Sequence, residues 1–310
     1  MRASLLIAGE GPVRMIKDMP AAAKDPEVTQ RVNLGDVGYP ELLAHIPGAP
    51  KQLYYRGDLS VLDAMTVAVV GARKATDYGR WVSSSVAKKC AEAGVVVVSG
   101  MAEGIDSCAH RGALEAGAPT VAVMGCGLDI CYPAFNGDLR KRILETGALV
   151  SEYPDGTNPG RHTFPARNRI ISGLSMATVI AEAGLSSGSL ITAECAATQG
   201  REVYAVPGNI NRVSSIGCNK LIQDGARPLI LIDDFLTDMG IRKAAKGPAV
   251  EGLGGDEIKL LALVAEHGEV SLSDIAALSG MRAPKVTAIV TILEMKGLVS
   301  TCSGKVAVSG

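Results

Sequence analysis

Aromatic residues are scarce, at 4% of 310 residues with one Trp and three Phe, although 47% of the chain is hydrophobic. An interior built mainly from Ala, Val and Gly has the texture of an α/β core, and a disordered or fibrous chain is excluded. Charge of one sign is also missing. The formal net charge is −1, so affinity for a polyanion must come from local clustering. No apolar run approaches the roughly 20 residues that span a bilayer, which argues against a membrane protein. The apolar run Ser4–Ala8 is too brief for a secretory core. The seven cysteines, at 90, 108, 126, 131, 195, 218 and 302, form an odd, scattered set. They read as free thiols of a reducing, cytoplasmic compartment, not as a disulfide framework. Cys126 and Cys131 are the one close pair, and no second Cys/His pair completes a zinc set. Neither metal nor cofactor is expected.

What is present is a regular alternation. Short, nearly all-apolar runs (Val67–Val70, Val95–Val98, Thr120–Met124, Ala148–Ser151, Met176–Ala181, Glu202–Val206 and Leu229–Ile232) alternate with helical stretches near 77–93, 105–117, 135–146, 188–199 and 214–224. Apolar on both faces, such strands belong to a parallel sheet covered by helices on each side. The expected fold class is α/β, a doubly wound, mostly parallel Rossmann-like sheet, followed by a small C-terminal winged helix domain. Residues 1–38, broken by Pro12, Pro20 and Pro26, read as a short N-terminal leader. Residues 39–240 form the α/β domain, with Leu53–Gly57 as an edge segment. Residues 241–255, rich in Gly and Ala, form a linker, and 256–310 form the winged helix.

In a doubly wound sheet, ligands bind beyond the carboxyl ends of the strands. The loops placed there are glycine-bearing: Gly71–Lys74, Ser99–Asp106, Gly125–Asp129, Gly184–Ser189 and Val206–Asn209. Glycine allows backbone N–H groups to approach an anion closely. Phe164 to Cys195 organises the set, joining a basic cluster, Arg161–Arg169, to a buried strand and a Gly/Ser turn that opens a helix. A turn running into a helix N-terminus is an anion site. The candidate site therefore comprises Arg73, Gly100, Gly125, Arg161, Phe164, Arg167, Asn168, Arg169, Ser187, Gly188, Ser189 and Thr192. Guanidinium groups would fork onto phosphates. Phe164, stiffened by Pro165 in its loop, would stack a base, or else anchor the core. Ser187–Ser189 with Thr192 would cap the helix and donate to a phosphate, or serve only as a cap. One of Arg167 and Arg169 is expected in a buried ion pair. His110 has no nucleophile to pair with, so it reads as a packing histidine, and no catalytic residue is expected.

Beyond the linker, three short helices and a hairpin joined at Ser303–Gly304 make a winged helix-turn-helix. From Asp256 onward five basic residues face six acidic ones. A groove reader normally carries a basic excess, so a protein contact or a weak DNA role is favoured over duplex reading.

Gly71–Arg73, SGMAEGIDSCAHRGAL (99–114), GCGLDICYP (125–133), FPARNRIISGLS (164–175), SGSLITA (187–193), VPGN (206–209) and IGCNKLIQDGA (216–226) resemble the DNA-processing protein A family, DprA/Smf, in order, from about Tyr39 to Leu236. The resemblance implies a Rossmann-like single-stranded DNA binder. It would be a homodimer that protects incoming DNA and loads RecA recombinase in natural transformation. By the same resemblance the family's phosphate-binding arginine falls on Arg73, its basic residue three before the phenylalanine falls on Arg161, and the dimer face falls on Leu221, Ile222 and Leu229. Two departures stand out: residues 1–38 are short for the N-terminal helical domain of many members, and Phe135 replaces a common acidic residue. Rival readings are a nucleotide phosphoribohydrolase-like enzyme, whose Pro-Gly-Gly loop is lost here and whose glutamate is displaced to Glu194, and a nucleotide-sensing winged-helix regulator.

Overall fold

The structure is a computed structural model, and it describes residues 28–241, 253–268, 270–296, 298–302 and 304–308. The chain divides into two compact units, Met1–Arg242 and Lys243–Gly310.

The first unit opens with β1 (Gln30–Asn33), α1 (Glu41–Ala44) and β2 (Gln52–Gly57). There follow β3 (Thr66–Gly71), α2 (Asp77–Glu92), β4 (Val96–Ser99), α3 (Ile105–Glu115), β5 (Thr120–Met124), α4 (Gly137–Thr146) and β6 (Ala148–Ser151). The second half holds α5 (Thr163–Gly173), β7 (Ala177–Glu182), α6 (Ser189–Thr198), β8 (Glu202–Ala205), α7 (Val213–Gln223), β9 (Arg227–Pro228) and α8 (Ile232–Asp238). These strands form one nine-stranded sheet in the order β1-β2-β6-β5-β4-β3-β7-β8-β9. From β6 to β9 every pairing is parallel, whereas β1–β2 and β2–β6 are antiparallel. Strands β3 to β6 add in one direction and β7 to β9 in the other, so the order reverses between β3 and β7. A crevice opens at such a switch point because the crossover helices leave it to opposite faces.

Two apolar layers sandwich the sheet, one including Val70, Val98, Val123, Ile170 and Ile180, the other Val69, Val97, Val86, Ile105 and Val179. Alternate residues of β3 (Val69, Val70) go to opposite layers, as pleating requires. Each fully buried Val, Leu or Ile contributes about 1.5–3 kcal/mol.

The structure corrects several expectations. Gln30–Asn33, within the expected leader, forms β1 and pairs with β2 over Gln30↔Tyr55 to Asn33↔Gln52. The chain from 52 to 57 is therefore interior to the sheet, with β1 at the edge. Residues 1–27 and most of the expected linker, 242–252, lie outside the described residues. The apolar run at 229–232 is not a strand. The last strand ends at Pro228, and the chain enters α8 at Ile232. The basic cluster is not a loop: Thr163–Gly173 is helical, with Pro165 in its first turn, where a missing N–H costs nothing.

The second unit contains α9 (Gly255–His267), β10 (Val270–Ser271), α10 (Leu272–Ser279), α11 (Ala283–Met295), β11 (Val299–Cys302) and β12 (Lys305–Val308). The strands form a three-stranded sheet, β10-β12-β11. Ser271 caps α10 by accepting from the Asp274 N–H at 3.2 Å. A core of Leu260, Val264, Ile275, Val286, Val290, Leu293 and Val306 closes the unit. No described helix is by itself long and apolar enough to cross a membrane.

Candidate nucleic-acid interface

At the switch point a groove of about 700 Å³ is lined by Arg73 and Lys74, Arg161, Phe164, Arg167 and Asn168, and by the turn from Gly184 through Ser189 to Thr192. Loops after β3 and β7 and the first turns of α5 and α6 thus converge on one place. Its positioning is local. Gly104 sits at φ 82°, and a Cβ there would meet Arg73 O at 2.3 Å and Ala72 O at 2.4 Å. Only glycine suits both that φ and that approach. Ile105 N–H then donates to Ala72 O at 3.2 Å, fixing the Arg73 loop against α3.

Arg73 and Arg161 are exposed, and among the described residues neither has an ion-pair partner. The Arg73 guanidinium lies 5.2 Å from the centre of the Phe164 ring, a cation–π arrangement. Tyr132 packs on the same ring at 5.3 Å. A smaller pocket of about 170 Å³ adjoins, shared by Tyr132, Phe135, Phe164, Gly100, Gly125 and Cys126. A Cβ on Gly125 would stand 3.0 Å from the Phe164 ring, so this glycine makes room for the platform. Tyr132, Phe135 and Lys74 were missed in the sequence. The Tyr-Pro pair in a glycine-flanked βα loop was the signal for Tyr132 and Phe135, and the glycine-bearing Gly71–Lys74 loop was the signal for Lys74.

Arg167 behaves differently. It is buried, and its Nη1 donates to Gly100 O at 2.8 Å and to Val123 O. The Asp106 carboxylate nearby accepts from the N–H groups of Gly100 at 3.1 Å and Ala102 at 3.4 Å. Burial pushes the Asp106 carboxyl above its usual range, and Arg167 opposes the shift. Burial likewise lowers Arg167, which Asp106 counteracts. Gly100 thus has its N–H and C=O consumed by this buried pair. Arg169 is not among the groove residues. Its Nη2 pairs with Glu152 at 2.7 Å, so the ion pair falls to Arg169, half-buried, while the buried Arg167 is held by carbonyls. Asn168 spends its amide on Gly188 O at 3.1 Å.

The turn also departs from expectation. The α6 cap is Gly188, with no side-chain hydrogen bond. Ser187 and Ser189 bond each other at 2.8 Å, and Thr192 is buried. The N–H groups of Ser187, Leu190 and Ile191 donate to Gly184, Ser187 and Gly188 carbonyls, which leaves those of Gly188 and Ser189 without an acceptor among the described residues at this helix start.

His110 is buried, and its Nδ1 lies 2.8 Å from Thr120 Oγ1. That hydroxyl already donates to Val97 O at 2.6 Å, so Nδ1 carries the proton and Nε2 has no partner. Burial first, and the Arg167 charge second, pull its pKa down to about 3. It is a neutral packing histidine. Glu194 is exposed and outside the groove lining, and no described cluster of His, Cys, Asp or Glu could hold a metal. In the dimer face named above, Leu229 is in the core, and Leu221 and Ile222 are half-buried against it. The apolar residues that face outward there are Ile230 and Leu231.

Fold and groove together define a doubly wound α/β protein with a cationic crevice at its switch point, joined to a winged helix. The chain belongs to the DNA recombination-mediator protein A family, whose model matches residues 30–240. The C-terminal unit matches the MarR family over residues 256–301. DprA-named proteins of Mycobacterium tuberculosis are 40% identical over 244 residues, 77% of this chain but only 63% of their own length. The solved DNA processing protein A from Streptococcus pneumoniae superposes with a TM-score of 0.65 at 42% identity, covering 67% of this chain and 74% of that one. The protein of that name from Helicobacter pylori, solved to describe its single-stranded DNA binding mode, gives 0.62 at 31% identity, covering 69% and 98%.

Proposed function

We propose that this chain binds single-stranded DNA without regard to sequence, protects it and passes it to the RecA recombinase. One observation carries the binding: Arg73, Arg161, the Phe164 ring and the Gly184–Ser189 backbone line one groove. Cations along a groove with an aromatic platform hold an unpaired strand through its phosphates and bases. The Helicobacter pylori relative supports the same reading. The hand-over to recombinase is supported by the recombination-mediator family. The protein would act as a homodimer through the 217–232 segment. Ile230→Asp or Leu231→Asp would then give monomers in light scattering, and unchanged mass would refute that face.

The test is a titration of labelled oligo-dT at several salt concentrations, followed by anisotropy. With three or four phosphates neutralised, log affinity falls against log salt with a slope of about −2 to −3. Arg73→Ala and Arg161→Ala each flatten it by about 0.7. Both variants binding as the parent does, with the same slope, would sink the assignment. A parallel assay of recombinase loading on coated oligonucleotide reads the second step, and no stimulation would refute it.

A further inference from the structure

A second cavity opens on the same rim, on the far side of the β3 loop. At about 910 Å³ it exceeds the first groove, and its walls include Thr76 and Tyr78 at the start of α2, Glu182 at the end of β7, and Asn209, Arg212 and Ser215 after β8. One loop serves both spaces: Arg73 and Lys74 line the first, Thr76 to Tyr78 the second. Beside it, Tyr78 and Trp81 lie on α2, 56% and 63% exposed. Their rings are stacked, with centroids 6.2 Å apart and planes 27° apart. A chain so poor in aromatics gains stability by burying them, so a stacked pair left in water calls for an occupant.

Charge selects that occupant. Arg212 is exposed in the cavity wall, Lys74 is exposed in the adjoining groove, and Arg80 is exposed on α2 between Tyr78 and Trp81 in sequence. Of the two carboxylates there, that of Glu182 accepts from Thr76 N–H at 3.2 Å and from the Thr76 hydroxyl. Gly79 permits this, since a Cβ there would stand 2.1 Å from Glu182 Oε2. Asp77 is then the one exposed carboxylate among the lining residues, against Arg212 in the wall and Lys74 and Arg80 on the same loop and helix. Rings and cations together suit unpaired bases on a phosphate backbone, whereas an apolar protein surface would need the rings alone.

We infer that the Tyr78–Trp81 pair and its cavity are a second subsite for the same strand, where bases stack after the backbone crosses the β3 loop from the Arg73–Phe164 groove. The inference rests on the single-strand reading above and extends it with a path.

Trp81 is the sole tryptophan, so its emission reports on this subsite directly. The full chain is titrated with labelled oligo-dT of about 6 and about 20 nucleotides, lengths that bracket common single-strand sites, reading anisotropy and Trp81 emission together. Both lengths bind, and only the longer quenches Trp81. Trp81→Ala and Tyr78→Ala weaken the longer oligonucleotide roughly five- to hundredfold, the loss of one stacked base, and leave the shorter unchanged, while Trp81→Phe keeps its affinity. If both lengths bind, Trp81 emission stays constant and the alanine variants match the parent, the second subsite is refuted and the first groove stands. Failure of both lengths to bind refutes both. A Trp81 shift with protein concentration alone assigns the rings to a second copy and overturns the inference.

Discussion

The rim of the α/β unit and the winged helix hold their cations in opposite ways. At the rim Arg73, Lys74 and Arg161 stand exposed, while Asp106 and Glu182 have their carboxylates bound by backbone or hydroxyl donors. In the winged helix Lys285 pairs with Asp256, Lys296 holds Glu257 at 3.0 Å, and Lys259 donates to Ser279 O at 3.1 Å. The outer face of α11 then presents Thr287, Ala288, Thr291, Ile292 and Met295, and Arg282 at its N-terminal cap is an exposed cation without an ion pair among the described residues. Residue counts hide this contrast. What matters for a polyanion is which carboxylates are already occupied.

The comparison breaks most severely at Arg167. If this arginine is part of the scaffold and not a phosphate ligand, Arg167→Ala leaves Asp106 buried beside unsatisfied carbonyls of Gly100 and Val123. The cost is about 3–5 kcal/mol in urea unfolding. Arg73→Ala stays within about 0.5 kcal/mol, as surface substitutions do. Equal stability of the two variants would erase the distinction between inner and outer arginines.

A second effect separates the units by pH. The folded α/β unit resists protonating His110 down to about 3, whereas the ordinary value is 6.5. Between those values the unfolded chain binds the proton and the native one does not, so stability is lost as pH falls from 6.5 toward 3. In His110→Asn, unfolding followed across that window shows a shallower loss. An unchanged pH profile would mean that His110 is not held neutral.

The smallest effect sharpens the winged-helix side. Asp256→Asn with Glu257→Gln frees Lys285 and Lys296, changes stability by about 1 kcal/mol or less, and raises affinity for duplex severalfold at low salt. Duplex binding that is already strong in the parent and indifferent to the pair would show that this face reads DNA as it is.

Much of this was legible beforehand. Thr120–Met124 and Ala148–Ser151 are strands from end to end, because β-branched and apolar residues between turn signals have few alternatives. Arg73, Arg161, Phe164 and the Ser187 turn converge because βα loops of a parallel sheet share one rim. The run at 229–232 misled because a short apolar run does not by itself distinguish strand from helix entry. Leu229 reaches the core on one strand-like bond, its N–H donating to Ala205 O at 2.9 Å, before the chain turns into α8. Which of Arg167 and Arg169 goes inside was opaque because a buried guanidinium and an exposed one are the same letter, and the carboxylate of Asp106 that opposes the Arg167 charge lies on another helix. Tyr78 and Trp81, spaced three apart on α2, carry no signal in the sequence that separates an exposed pair from a core stripe.

Helix α5 is fastened at four points: Arg167 to the ends of β4 and β5, Arg169 to Glu152, Asn168 to the α6 turn, and Gln199 Nε2 to Arg169 O at 2.9 Å. Phe164 therefore waits in its docked position before any ligand arrives. The ordering penalty of association falls on the flexible partner, so gains in affinity should come from slower release more than from faster capture.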